Sequence, residues 1–215
     1  MFNRELYINI GFYTGIIITS YFFGAIPFCY IIGKLKSGKR LTEIGDKNPG
    51  GWNLIFNVSK IWGVVGIILD ISKGFIAYFF AFKLTNIELV AVLAGCAAVA
   101  GHNYSPYLKF SGGKGVATML GTLLAAHPFS IVAFAVGILS GIFLIKNMIW
   151  GIMLGIMAAT IFLWLFKDSA VFLVMCALLL IVMVPKQINY SLNFSKNFKF
   201  RKESNLKDLF TPKIR

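Results

Sequence analysis

A glycine-rich stretch surrounding one lysine is the most ordered set of polar residues in this sequence. Gly112, Gly113 and Gly115 flank Lys114, and a strongly apolar run begins at Val116. Glycines let the backbone turn tightly and bring bare N–H groups close to a ligand. A helix that begins near Gly115 would point its unpaired N–H groups and positive dipole end at the same place. The pattern indicates an anion site, and phosphate is the anion that suits it best.

The same residues also fit a flexible linker between membrane helices, with its lysine on the cytoplasmic side. The stretch is not a Walker sequence, because the Gly-x-x-x-x-Gly-Lys-Ser/Thr spacing is absent. Polar residues elsewhere in the chain must decide between these two interpretations.

Asp70 and Lys73 form a second polar set inside an apolar segment. They are three residues apart, so they share one face of a helix. Asp70 lies on the order of 14 Å from the expected start of that helix. Charges at such depth are costly unless they are paired or face water, so they indicate a functional site or a structural ion pair. His102 is the imidazole nearest to the glycine stretch in sequence, and it suits a ligand contact or a structural hydrogen bond.

A third polar set lies between residues 44 and 53. Gly45, Pro49 and Gly50 predict tight turns, and Asn48 and Asn53 supply short polar side chains. This loop is either part of a ligand site or only a turn-rich connection. Upstream of it, Pro27 removes a helical hydrogen bond and predicts a kink near the end of the first helix.

The composition places these sets in a membrane protein. Of 215 residues, 58% are hydrophobic and only 13% are charged, against roughly 25% charged in a soluble domain. Cys29, Cys96 and Cys176 lie in apolar runs and are expected to be small packing residues. With His102 and His127 far apart, a metal site has little support, and no cofactor is expected. The net charge of +13 is explained by membrane topology, not by nucleic-acid binding.

The predicted fold is an all-α, polytopic bundle of about seven transmembrane segments. The apolar segments cover residues 6–33, 61–82, 87–100, 116–126, 129–145, 148–166 and 170–184. A helix needs roughly 20 residues to cross the hydrocarbon core, and segments 87–100 and 116–126 are shorter. Glycines four residues apart, in the pairs Gly11/Gly15, Gly137/Gly141 and Gly151/Gly155, are expected to let helices pack closely.

Lysine and arginine predict the orientation. Between the first two segments lie Lys34, Lys36, Lys39, Arg40, Lys47 and Lys60, whereas the opposite side holds only Arg4, Lys83 and Lys167. Positive residues stay in the cytoplasm, so the N-terminus is expected outside and the C-terminus inside the cell membrane. Residues 1–185 then form one transmembrane domain with its site loops on the cytoplasmic side. Residues 186–215 form a basic cytoplasmic tail that suits anionic lipids.

Three motifs resemble the integral membrane glycerol-3-phosphate acyltransferases that use acyl phosphate as donor. Gly-Ala-Ile-Pro-Phe at 24–28 is similar to the family's Gly-Ser-Ile-Pro-Phe, and residues 69–74 match its Leu-Asp-x-x-Lys-Gly. Residues 101–118 are similar to Gly-His-x-x-Pro-x-x-x-x-Phe-x-Gly-Gly-Lys-Gly-Val-Ala-Thr, with a small shift at Tyr104 and Ser105. The resemblance covers roughly residues 24–118, and downstream it is little more than hydropathy. The family's seven crossings and cytoplasmic-side site agree with the charges.

The resemblance implies a membrane acyltransferase that moves a fatty acyl group from acyl phosphate to glycerol-3-phosphate or a related acceptor and contacts membrane lipids. Its candidate catalytic residues are Lys114, His102, Asn48, Asp70 and Lys73. Its candidate substrate-binding residues are Gly112, Gly113, Gly115, Thr118, Asn53, Lys60, Asp46 and Asn189. No protein nucleophile is needed, because acyl phosphate is already activated and its phosphate oxygens can help to take the proton of the attacking hydroxyl. The protein must align the two substrates and stabilise negative charge.

The acceptor side departs from the family pattern. Asp46 stands where the family has a serine, Trp52 replaces a threonine, and Phe56 stands where an arginine is expected. Near the C-terminus the family's His-Arg-x-Asn-Ile appears as Lys-Gln-Ile-Asn, ending at Asn189. Two functions therefore stay open. One is an acyltransferase, and the other is a non-catalytic paralogue that binds or moves an acyl phosphate or a phospholipid. A channel or an ordinary transporter ranks third, because no inverted repeat is visible.

Overall fold

A computed structural model describes the backbone of residues 2–197 and the side chains of residues 9–188. Within that range the regular secondary structure is helical, as the sequence predicts. The α-helices are α1 (Phe2–Ala25), α2 (Phe28–Ser37), α3 (Gly51–Asn57), α4 (Lys60–Thr85), α5 (Glu88–Asn103), α6 (Val116–Ala126), α7 (Ser130–Ser140), α8 (Met148–Lys167) and α9 (Val171–Asn197). A 3-10 turn at Pro106–Leu108 and a π-helical turn at Gly141–Ile145 complete the set.

Four stretches of this bundle are long and apolar enough to cross a membrane. They are Asn9–Ser37, Lys60–Thr85, Met148–Lys167 and Val171–Ile188. Val116–Ala126 and Ser130–Ile145 are shorter apolar helices. The predicted limits of α6 are confirmed, and its 11 residues rise roughly 17 Å at 1.5 Å per residue. Helix α9 continues to Asn197 within the range predicted as tail, and residues 198–215 of that range lie outside the described residues.

The predicted kink at Pro27 is confirmed as a complete break between α1 and α2. A broken helix leaves backbone carbonyls without their usual partners, and inside a membrane protein these carbonyls must find others. The Ser105 hydroxyl donates to the carbonyl oxygen of Ala25 at 2.7 Å. The Lys73 ammonium donates to the carbonyl oxygen of Ile26 at 2.9 Å. The break therefore ties the first helix to α4 and to the loop after α5.

Close helix crossings hold α1 and α6 in place around this break. A Cβ atom at Gly24 would overlap the backbone of Ala98 on α5. A Cβ atom at Gly74 would overlap the carbonyl of Thr118, and one at Gly121 would overlap that of Ile71. These glycines let α1 cross α5 and let α6 cross α4 at backbone contact, which positions the polar residues near the crossings.

The glycine pairs predicted to allow close packing divide into two groups. Gly137 on α7 packs against Gly155 on α8, and Gly141 just after α7 packs against Gly151 on α8. The prediction is therefore confirmed for these two pairs. The prediction for Gly11 and Gly15 is wrong, because a Cβ atom at either glycine meets no heavy atom of the described residues within 4 Å. Helix α1 makes its close crossing near Gly24 instead, at the other end of the helix.

Candidate active site

A buried polar cluster lies where α4 and α5 meet the break in the first helix. Its members are Asp70, Lys73 and His102, of which Asp70 is 2% and Lys73 0% exposed. The Lys73 Nζ atom lies 2.8 Å from Asp70 Oδ1 and 3.1 Å from His102 Nδ1. His102 Nδ1 is also 3.6 Å from the same carboxylate oxygen. The pairing of Asp70 with Lys73 on one helical face, expected from their spacing, is confirmed.

The second carboxylate oxygen of Asp70 has a partner that sequence reasoning missed. The Cys29 thiol on α2 donates to Asp70 Oδ2 at 3.1 Å, and Cys29 is buried. The sequence suggested only a small packing residue there, because its run of apolar neighbours gives no sign of a buried acid on another helix. Asp70 thus joins α2, α4 and α5, and its carboxylate has neighbours on all three.

The glycine loop packs directly on His102. The Gly113 N–H donates to the carbonyl oxygen of His102 at 3.0 Å. A Cβ atom at Gly113 would overlap the Nε2 atom of His102, and one at Gly112 would overlap its carbonyl oxygen. Gly115 has a φ of 82° and is the residue immediately before α6. The predicted tight loop and helix start are therefore confirmed, and the first N–H groups of α6 follow Gly115 directly.

Asn103 packs against Gly115 of this loop, and the sequence analysis did not single it out. It is fully buried, and its Nδ2 donates to the carbonyl oxygen of Val182 on α9 at 3.3 Å. Its Oδ1 lies where a Cβ atom of Gly115 would stand, and it accepts no hydrogen bond from the described residues. The only signal in the sequence was its place next to His102.

Lys114 reaches from the glycine loop to the loop before α3. Its Nζ atom is 3.5 Å from Asp46 Oδ2, and about a quarter of the Lys114 side chain (24%) is exposed. Burial lowers the pKa of the Lys114 ammonium to about 8, and the negative charge of Asp46 opposes that shift. The Lys114–Asp46 pair thus joins the glycine loop to the polar loop of residues 44–53.

Asn53 organises the loop that carries Asp46. Its Nδ2 lies 2.8, 3.0 and 2.9 Å from the carbonyl oxygens of Leu41, Ile44 and Asn48, and the residue is 2% exposed. Its Oδ1 accepts a hydrogen bond from Asn57 at 2.7 Å. The hydrogen bonds of the Asn53 amide in this structure are therefore made within the segment of residues 41–57. Asn48, which is half-buried, follows Asp46 and donates its N–H to Asp46 Oδ1 at 3.2 Å.

Three predicted residues lie apart from this contact chain. Thr118 is fully buried in the α4–α6 crossing, and its hydroxyl has no hydrogen-bond partner among the described residues. Lys60 is exposed at the first turn of α4. Asn189 belongs to α9, but its side chain lies outside the described residues. Among the described residues, no three His, Cys, Asp or Glu side chains come close enough to hold a metal ion.

Comparisons with known proteins show the family of this chain. The family model described as glycerol-3-phosphate acyltransferase matches residues 14–194. The chain belongs to this family. Two relatives bear the same name. The protein from Thermosipho melanesiensis is 40% identical over 146 residues, which cover 68% of this chain and 72% of the relative. The protein from Lacticaseibacillus casei is 35% identical over 176 residues, which cover 80% of this chain and 84% of the relative.

A solved member of the glycerol-3-phosphate acyltransferase family has the same fold. The crystal structure of PlsY, an integral membrane glycerol 3-phosphate acyltransferase, in its glycerol 3-phosphate form matches with a TM-score of 0.70 and 31% sequence identity. The match covers 93% of this chain and 99% of that protein. The resemblance of the three motifs is thus confirmed, and the fold beyond residue 118 is also shared. The chain is a multi-pass membrane protein of this family.

Proposed function

We propose that this chain transfers a fatty acyl group from an acyl phosphate to a hydroxyl of glycerol-3-phosphate and forms lysophosphatidate for phospholipid synthesis. The name shared by the family and its relatives supports the acceptor. The observation that carries the proposal is the glycine loop. Its Gly113 packs on His102, and Lys114 and the first N–H groups of α6 come directly after Gly113 in the chain. Such a loop suits the phosphate of an acyl phosphate.

In the proposed reaction the hydroxyl oxygen of the acceptor forms a bond to the acyl carbon. The bond between that carbon and the phosphate oxygen breaks, and inorganic phosphate leaves with the hydroxyl proton. Backbone N–H groups of the loop and the Lys114 ammonium hold the donor phosphate and stabilise the charge that develops on it. The buried Asp70–Lys73–His102 cluster keeps the loop in place, because Gly113 donates to the His102 carbonyl.

The proposed topology has seven crossings with the N-terminus outside and the site on the cytoplasmic side of the cell membrane. Four long apolar helices and two shorter ones support the multi-pass arrangement. The orientation is supported by the excess of lysine and arginine from the last turn of α2 to the first residue of α4, at Lys34, Lys36, Lys39, Arg40, Lys47 and Lys60. Glycerol-3-phosphate is charged and water-soluble, so a site facing the cytoplasm gives it direct access.

The enzyme is favoured over the binding-only paralogue. The family model covers most of the chain, residues 14–194, and the donor-side residues meet in one contact chain from Asp70 to Lys114. A protein that only binds lipid has no need to place a cationic loop beside a second polar loop for an acceptor.

The decisive assay uses the purified full-length chain with palmitoyl phosphate and glycerol-3-phosphate. We expect equal amounts of lysophosphatidate and inorganic phosphate, and little product when an acyl thioester replaces the acyl phosphate. Lys114→Ala removes a charge-assisted contact worth about 1.5–3 kcal/mol, so catalytic efficiency falls about ten- to a hundredfold. The matched control is Lys83→Ala, because Lys83 is exposed in the last turn of α4. Binding of palmitoyl phosphate without turnover would favour the paralogue.

A further inference from the structure

Two loops that are far apart in sequence meet at a single ion pair. Asp46 lies between α2 and α3, Lys114 lies just before α6, and their side chains approach to 3.5 Å between Oδ2 and Nζ. Both side chains are largely covered, with 10% of Asp46 and 24% of Lys114 exposed. Lys114 is the residue to which the donor phosphate is assigned. The Asp46 carboxylate therefore already pairs with the ammonium to which the donor phosphate is assigned.

The local backbone holds Asp46 toward Lys114. Gly45 and Lys47 on either side have φ angles of 57° and 56°, so the chain turns sharply at Asp46. Asp46 Oδ1 accepts the N–H of Asn48 at 3.2 Å, which leaves Oδ2 to face the ammonium. Asn53 ties the surrounding carbonyls together. The carboxylate is thus placed by its own loop.

We propose that Asp46 is an internal competitor for the donor phosphate: its carboxylate occupies Lys114 in the free enzyme, and the donor binds by displacing it. This inference rests on the proposed function, because it assigns the donor phosphate to Lys114. It makes Asp46 a residue that sets donor affinity through Lys114. Asp46 would not itself hold the donor.

Electrostatics supports displacement over shared binding. A phosphate beside the intact pair meets a carboxylate and an ammonium whose charges cancel. Once Asp46 turns away, the phosphate takes the place of the carboxylate beside the ammonium in a largely covered site, where charged contacts are stronger than in water. The lowered pKa of Lys114 agrees with an ammonium that loses hydration and depends on an anionic partner.

A different mechanism would also make Asp46 weaken the binding of the donor phosphate. The carboxylate could repel the phosphate through space without pairing with Lys114 during the exchange. The two mechanisms differ in their dependence on Lys114. Competition requires the ammonium, so removing Asp46 gains nothing when Lys114 is absent, whereas repulsion persists without it. A double-mutant cycle separates the two.

The experiment measures binding of dodecyl phosphate, which is not an acyl donor, to the purified full-length protein in detergent. The variants are Asp46→Asn, Lys114→Ala and the double variant, with Asp46→Ser as a second neutral replacement. The matched control is Glu43→Gln, because Glu43 lies on the same loop and pairs with Arg40 at the surface. It removes one negative charge without touching Lys114. Gel filtration and thermal unfolding check that each variant is folded.

We expect Asp46→Asn and Asp46→Ser to bind dodecyl phosphate about three- to fivefold more tightly than wild type, which is the upper part of the range for one ion pair near the surface. Glu43→Gln should stay within twofold. In the Lys114→Ala background the gain from Asp46→Asn should disappear. In the transfer assay, Asp46→Asn should lower the KM for palmitoyl phosphate more than it raises kcat. Equal or weaker binding by both Asp46 variants overturns the inference, and so does an undiminished gain without Lys114.

The outcomes also separate this inference from the proposed function. If wild type binds dodecyl phosphate and transfers acyl groups but the Asp46 variants gain nothing, only the inference fails. If the full cycle is observed without acyl transfer, the inference stands and the proposed function fails. If wild type and both Asp46 variants fail to bind dodecyl phosphate at millimolar concentration, the assignment of Lys114 to the donor fails and both proposals fall.

Discussion

Gly113 lies directly against His102, and its N–H donates to the His102 carbonyl oxygen at 3.0 Å. A Cβ atom at this position would overlap His102 Nε2. The imidazole cannot easily retreat, because its Nδ1 atom faces Lys73 at 3.1 Å within a buried cluster. The glycine at position 113 is therefore required by the histidine behind it as well as by any ligand in front of it.

Gly113→Ala is expected to damage the site by overpacking. Adding a methyl group to a well-packed position costs about 1–3 kcal/mol of unfolding free energy, and the loop should shift away from His102. Thermal unfolding in detergent and the transfer assay would measure both effects. The control is Gly11→Ala, whose Cβ atom meets no heavy atom of the described residues within 4 Å. This variant should be neutral or slightly stabilising. Full activity and stability in Gly113→Ala would mean that the loop adapts freely.

Replacing Asp70 alone is expected to cost more stability than replacing Asp70 and Lys73 together. Asp70→Asn leaves the Lys73 ammonium, which is 0% exposed, without its countercharge. Breaking a buried pair on one side costs about 3–5 kcal/mol, whereas removing both charges costs less. Chemical unfolding of Asp70→Asn, Lys73→Met and the double variant would measure the difference. Equal losses in the single and double variants would show that water reaches Lys73.

Binding of the phosphate probe is expected to weaken as pH rises through about 8. Burial lowers the pKa of Lys114 to about 8, so its positive charge is present below that pH and is lost above it. Dodecyl phosphate binding measured between pH 7.5 and 9.5 should weaken about tenfold per pH unit once pH exceeds the pKa. A phosphate monoester is already doubly ionised across this window, since its second pKa is about 6.

Lys114→Arg is the matched control for the pH profile. A guanidinium stays protonated throughout the window, so its binding curve should be flat, whatever its absolute affinity. The unfolding free energy has the opposite trend for this one group. The unfolded chain keeps the Lys114 proton to a higher pH than the folded chain does, so Lys114 makes stability increase as pH rises above about 8. A flat wild-type binding profile would contradict a site that depends on the Lys114 ammonium.

The proposed orientation can be tested with two single-cysteine additions on either side of α4. Lys39 lies in the loop after α2 and Asn86 follows the end of α4, and both are exposed. On intact cells a membrane-impermeant maleimide should label Asn86→Cys and leave Lys39→Cys unlabelled, while both react after lysis. Wild type measures the background labelling of the native cysteines, of which Cys29 and Cys96 are buried and Cys176 is half-buried. Labelling of Lys39→Cys on intact cells would reverse the orientation.

Most apolar segments and the main site motifs were predictable from the sequence for local physical reasons, whereas helix α3 and the continuation of α9 to Asn197 were not. The apolar segments, the break at Pro27 and the start of α6 after Gly115 depend on hydrophobic runs, a missing backbone donor and a residue with positive φ. The Asp70–Lys73 pair follows from helical spacing alone. Each of these features depends on residues that are consecutive or close in sequence, so a local pattern is enough to find it.

Contacts between distant segments could be decided only by tertiary structure. Cys29 bonds to Asp70 across 41 residues, and the sequence records no partner for a thiol in an apolar run. The sequence also gives no sign that the Asn53 Nδ2 atom lies among three backbone carbonyl oxygens of its own loop. Asp46 and Lys114 carry opposite charges in loops far apart in sequence, and such charges attract only if the fold brings them together. The close helix crossings at Gly24 and Gly74 were likewise decided by the fold, because backbone contact between helices depends on the shape of both partners.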